Sequence, residues 1–305
     1  MSLRSSTRST GIRGLRWSVV GLVVSAFLAA SMGSVSIAQA EEAALSPTAV
    51  AAFNDLAACM EKPKSQLNVL YVLDASSSLQ EDTDPERLRG KILAQAIRQL
   101  GSLSSERDVY FAVSSFDLGY TVRKDWSQLT PETTEQAASW PEQQYGWWGA
   151  GKGTDWLAAL SGGLATMQKS PNVDSACKLM VWVTDGGINI NGSKSDYPPN
   201  IAAMEQLCGV NPVTGAKTND VPILDSIRSS GIHLVAVALK SDDYLGKLTG
   251  DDLADEQSKF DFLLPVSEGS GQVSNAGLTS EAPKTFTYDC GTNPLPEGWA
   301  AGAFV

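Results

Sequence analysis

The sequence predicts an α/β fold: a doubly wound, mostly parallel central sheet with one antiparallel edge strand and helices on both faces. Three observations point to it. The apolar runs at 67–73, 178–184 and 232–239 are solid blocks without polar alternation, as expected of strands covered on both sides. Segments with helical spacing lie between strands, and strands alternating with helices imply parallel pairing. Asp74 and Asp185 directly follow two of these runs, at the strand ends where open α/β sheets bind ligands.

The chain opens with Arg4, Arg8, Arg13 and Arg16, an apolar stretch at 17–30, and Ala38-Gln39-Ala40. That order reads as a secretory signal peptide over 1–40, cleaved near Ala40. The rival, an uncleaved anchor, needs a longer apolar core. Cleavage removes four arginines and no acid, so the formal charge moves from −11 to −15. Such an acidic chain is unsuited to nucleic acid, because phosphate neutralisation needs clustered Lys and Arg. A secreted or cell-surface location follows, with contact to the membrane only through export. Residues 41–64 read as a lead segment, 65–290 as one domain with insertions, and 291–305 as a tail.

The first strand, 67–73, is followed by a helix over 85–100, with Asp84 as cap and Pro85 in the first turn. Apolar residues at Leu88, Ile92, Leu93, Ala96, Ile97 and Leu100 give that helix one buried stripe. A second strand covers 109–116, and 120–126 reads as its antiparallel hairpin partner at the edge. Thr130 caps a helix over 131–138, and 139–153 is an aromatic, glycine-rich loop. A helix over 155–168 and the buried strand at 178–184 come next. Residues 186–220 read as a long loop containing Pro198 and Pro199, followed by a helix at 221–229 that Gly231 stops. After the strand at 232–239, the acidic region 241–290 offers only a weak helix near 253–264 and a strand near 285–288.

Cys59, Cys177, Cys208 and Cys290 are an even set in an exported chain, which suggests two disulfides with three connectivities. No pair has the C-x-x-C spacing of a zinc site or redox dithiol. Cys59 precedes the first strand and Cys177 starts a later one. If those strands are parallel neighbours, the two cysteines share one sheet edge and pair, which leaves Cys208 for Cys290.

The chemistry concentrates in Asp74-x-Ser76-x-Ser78, in Thr154 within the glycine-rich turn before a helix, and in Asp185 of Val-Thr-Asp-Gly. Each lies at a strand's carboxyl end or the start of the next helix, so all five can converge above the sheet. Carboxylates and hydroxyls make a hard, oxygen-only set, suited to Mg²⁺, or to Mn²⁺ or Ca²⁺. As helix caps or turn formers alone, Asp74 and Ser76 leave Thr154 and Asp185 unaccounted for.

In these residues the chain resembles a von Willebrand factor A domain with its metal-ion-dependent adhesion site, of the exported bacterial type. Asp74, Ser76 and Ser78 match that family's D-x-S-x-S, Thr154 its loop threonine and Asp185 its distal aspartate. The resemblance covers about 66–240. It implies an α/β fold, a Mg²⁺ or Mn²⁺ ion held partly through water, and a non-enzymatic module binding a protein ligand whose acidic side chain completes the coordination. With only two carboxylates, such a site stays electrophilic toward an external carboxylate. The alternative is an assembly component whose ion merely staples loops.

Other chemistries fit less well. Residues 146–154 approach the phosphate loop G-x₄-G-K-[ST], but Gly153 stands at the hydroxyl position and no buried strand precedes it, so no nucleotide is expected. An aspartyl-phosphate enzyme needs a second aspartate where Ser76 stands. A Ser-His-Asp hydrolase would have to use His233, the one histidine, which lies inside a strand. Trp147 and Trp148 read either as an exposed rim for a partner or as packing beneath the loop.

Overall fold

The computed structural model describes residues 47–62, 65–79, 84, 88–144, 151–184, 190, 198–209, 211, 216–238, 285–286 and 302–304. The signal peptide, the helix expected at 253–264, Pro85, Trp147, Trp148, Asp185 and Cys290 lie outside them.

The first helix, α1 (Pro47–Met60), leads into β1 (Leu67–Asp74), every residue of which is buried. Then come α2 (Leu88–Ser102), β2 (Val109–Phe116) and β3 (Tyr120–Leu129). Helices α3 (Thr134–Gln143) and α4 (Trp156–Met167) precede β4 (Cys177–Thr184). Helices α5 (Pro198–Cys208) and α6 (Ile223–Ser229) precede β5 (Ile232–Ala238). Two short strands, β6 (Thr285–Phe286) and β7 (Gly302–Phe304), complete the described elements.

Among the described residues the sheet order is β3-β2-β1-β4-β5-β7-β6. β1 pairs in parallel with β2 and β4, and β4 with β5. β3 runs antiparallel to β2 at the edge, as expected of the hairpin. This largely exposed edge strand bears Arg123, Lys124 and Asp125, charges that discourage edge-to-edge pairing. At the far side β7 adds in parallel to β5, and β6 pairs antiparallel with β7.

Alternation along β1 divides the core. Val69, Tyr71 and Leu73 pack with Ile92, Leu93 and Ile97 of α2, Leu56 of α1 and Ala138 of α3. Leu70 and Val72 face Trp156, Leu160 and Met167 of α4, together with Leu207 of α5 and Ile227 of α6. Helices therefore cover both faces, which is why the middles of β1 and β4, residues 69–73 and 179–183, carry only apolar and aromatic side chains. From β1 the chain winds outward to β2 in one direction and through β4 to β5 in the other. The crevice between the carboxyl ends of β1 and β4 is thus the topological switch point.

Three helices depart from the sequence expectations. Pro47–Met60 and Pro198–Cys208 fall where a lead segment and a long loop were expected. Both begin at proline, which suits a first helical turn; many alanines weaken the apolar periodicity of the first, and the Pro198-Pro199 pair of the second reads as a loop signal. The helix expected at 131–138 starts instead at Thr134. Thr130 accepts from the Thr133 and Thr134 amides through its carbonyl at 3.2 and 3.0 Å, closing a turn before the helix proper.

Cys59 is bonded to Cys177, the pairing expected if their elements share one sheet edge. Cys208 is also disulfide-bonded, and its expected partner Cys290 is outside the described residues.

Candidate metal centre

Asp74 is the last residue of β1 and is fully buried. Its Oδ1 accepts from the Ser76 amide at 2.8 Å, a local turn that an aspartate at a strand end readily makes. Its Oδ2 accepts from the Thr184 hydroxyl at 2.6 Å, across the crevice from the end of β4. Both carboxylate oxygens are therefore oriented. Ser76 is buried and Ser78 half-buried, and their hydroxyls lie 3.0 Å apart.

The segment with Thr154 is docked onto this turn by its backbone. The Gly151 amide donates to the Ala75 carbonyl at 2.9 Å, and the Ser77 amide donates to the Gly151 carbonyl at 3.0 Å. The Asp155 amide donates to the Asp117 carbonyl at 2.7 Å, and the Asp155 carboxylate caps α4 by accepting from Ala158 at 3.0 Å. Thr154, held between these anchors, is 5% exposed. Gly151 is required by the close approach: a Cβ there would lie 2.3 Å from Asp117 Cβ and 3.0 Å from the Ala75 carbonyl oxygen.

The structure thus brings Asp74, Ser76 and Ser78 together and docks the Thr154 turn beside them. Asp185 is outside the described residues, but its neighbour Thr184 touches Asp74. Thr184 is the residue that sequence reasoning passed over, although it stands beside the aspartate in the same Val-Thr-Asp-Gly. Arg89 was also missed. Its Nη1 donates to the Asp74 carbonyl at 2.9 Å, and its Nε donates to Asp84 Oδ2 at 2.7 Å.

The residues present fit a hard cation. The Ser76 and Ser78 hydroxyls share a hydrogen bond at 3.0 Å, close to the spacing of neighbouring oxygens on an octahedral Mg²⁺, about 3 Å. Among the described residues the oxygens gathered near Asp74 include the hydroxyls of Ser76, Ser78 and Thr184. That chemistry suits magnesium or manganese better than zinc or copper.

His233 plays no part in this cluster. It lies within β5, half-buried and paired in register with Leu179, about 16 Å along the sheet from the level of Thr184. Burial holds its imidazole below the usual range, with Asp55 partly offsetting that effect.

No protein-family model and no curated protein matches the chain. It is similar to several solved structures at low identity. The PilB minor pilin from Streptococcus sanguinis aligns at 15% identity and a TM-score of 0.39, over 80% of this chain and 57% of that one. A von Willebrand factor type A protein from Catenulispora acidiphila aligns at 16% and 0.33, over 57% of this chain and 33% of that one. The von Willebrand factor domain of the type V pili tip protein Mfa5 from Porphyromonas gingivalis aligns at 13% and 0.35, over 57% and 81%. The chain therefore spans less than two thirds of the pilin and of the Catenulispora protein. At these scores the geometry of the site, not the likeness, bears on function.

Proposed function

We propose that this chain is an exported, non-enzymatic binding module of the von Willebrand factor A type, which recognises a protein ligand through a divalent cation. The observation that carries the reading is the Asp74 carboxylate, oriented at the switch point beside two serine hydroxyls at ligand spacing. Asp74, Ser76, Ser78, Thr154 and Asp185 would hold Mg²⁺, or Mn²⁺ or Ca²⁺, directly or through water. When bound, the ion would supply an electrophilic position for an acidic side chain of the partner. This chain's own hydrogen bonds orient the carboxylate and bring the two hydroxyls together.

The Cys59–Cys177 disulfide supports export, because such bonds persist in oxidising compartments. A binding role is favoured over a purely structural ion by the backbone bonds that already tie Gly151 to Ala75 and Ser77. Those bonds fasten the loops alongside any ion.

The test is Mn²⁺ titration calorimetry on the wild type, Ser76→Ala and Ser78→Ala, followed by capture on immobilised acidic peptides with Mg²⁺ or chelator. The wild type should bind the ion and hold acidic peptides reversibly by chelator. The variants should lose both while keeping the melting temperature measured in EDTA. A wild type that binds no Mn²⁺ would refute the proposal.

A further inference from the structure

The turn carrying Ser76 and Ser78 leaves β1 at Asp74 and returns toward α2 past Asp84. One side chain touches both of those residues. Arg89, in the first turn of α2, is 3% exposed, and Asp84 is 6% exposed. The guanidinium donates through Nη1 to the Asp74 carbonyl at 2.9 Å and through Nε to Asp84 Oδ2 at 2.7 Å. The Arg89 amide donates to the same Asp84 oxygen at 3.2 Å, and the Asp84 amide donates to the Leu79 carbonyl at 2.5 Å. The ends of the hydroxyl-bearing turn are therefore tied through a single planar group.

A buried ion pair is weak grounds for stability, since desolvating both charges offsets much of their attraction. Its stronger consequence is geometric. A guanidinium has its donors in a rigid fork, so fixing one fixes the direction of the other. Charge-assisted bonds of this kind are also about twice as strong as neutral ones. We propose that Arg89 is a positioning residue for the cation centre: by clamping the Asp74 carbonyl to Asp84 it holds Ser76 and Ser78 at ligand spacing before any ion binds. This rests on the cation reading above.

Charge and geometry predict opposite signs. Arg89 is a cation near the centre, and its repulsion of a second cation is balanced by Asp84. If repulsion dominated, removing the Arg89 charge would tighten ion binding. If positioning dominates, removing it weakens binding.

The experiment is Mn²⁺ affinity of the full chain by calorimetry for the wild type, Arg89→Met, Arg89→Lys and Asp84→Asn. Each is measured well below its own melting temperature in EDTA. Positioning predicts a loss of about ten-fold or more in Arg89→Met and Arg89→Lys, the range typical of groups that orient metal ligands. It predicts a loss in Asp84→Asn as well, which removes the carboxylate that holds Nε. Should Arg89→Met fail to fold, Arg89→Lys decides, because it keeps the charge and loses the planar fork. A merely structural role would lower the melting temperatures of the Arg89 variants and leave the Mn²⁺ affinity of the folded protein unchanged. Unchanged or tighter binding in the Arg89 variants that fold overturns the proposal while the cation reading stands. A wild type that binds no Mn²⁺ overturns both.

Discussion

The hydroxyl of Thr184 donates to Asp74 Oδ2 at 2.6 Å, joining residues 110 apart in the chain across the crevice between β4 and β1. Both residues are buried, so the bond forms out of water and to a charged acceptor, where it is strongest. It orients the carboxylate that β1 delivers to the sheet end. The local Ser76 amide bond alone fixes only the other oxygen.

Thr184→Val keeps the shape and removes that donor. It should cost about 2 kcal/mol of folding stability, the scale of a hydrogen bond to a charged group, and weaken Mn²⁺ binding in the folded protein. Urea unfolding and calorimetry check the two effects. Equal affinity with equal stability would show that Thr184 does not orient Asp74.

Gly151→Ala tests the docking of the Thr154 turn. The new Cβ meets Asp117 Cβ at 2.3 Å, so either the hairpin or the turn must shift. We expect a loss of about 1–3 kcal/mol, the usual cost of overpacking, with weaker Mn²⁺ binding because the turn carrying Thr154 moves. Hydrogen exchange at the Ser77 amide, which donates to Gly151, should rise. Wild-type protection there would count against the docking.

The Cys59–Cys177 bond closes a loop of 118 residues. In the chain-entropy account a loop of that size contributes about 4–5 kcal/mol through the unfolded state. The double substitution Cys59→Ser/Cys177→Ser should therefore lower the melting temperature substantially and leave cation affinity unchanged. The bond lies at the amino-terminal edge of the sheet, opposite Asp74. A large loss of ion binding in the folded variant would mean that the two edges are coupled.

His233 should make stability depend on pH. Burial holds its folded value below 6.5, so the unfolded chain takes up the proton first. Its neutral form is compatible with the fold above the unfolded value. Stability is lost as the pH falls from there toward the depressed folded value. Melting curves of the wild type should drop more steeply below pH 6.5 than those of His233→Gln. Parallel profiles would remove His233 as the cause.

The solid apolar blocks of β1, β4 and β5 were readable because burial on both faces leaves no room for alternation. Asp74, Ser76 and Ser78 were readable for a related reason: the strand end is local, and a turn of a few residues brings the two serine hydroxyls together. The helix at Pro47–Met60 was not read because its many alanines give little amphipathic contrast, and that at Pro198–Cys208 because its Pro198-Pro199 pair reads as a loop signal. The start of α3 was misplaced because competing threonine bonds at Thr130 and Thr133 close a turn first.

The α/β class, the strands β1 to β5 and the oxygen-bearing turn after β1 were thus legible in the sequence, since each depends on neighbours a few residues away, whereas β7 falls in 302–304, where a tail was expected. Tertiary structure alone decided that β4 lies against β1, that Thr184 reaches Asp74, and that Arg89 ties Asp74 to Asp84. Those contacts are set by packing and by the need of buried polar groups for partners. That need selects among many hydroxyls and charges of equal local standing only once the chain has closed around them.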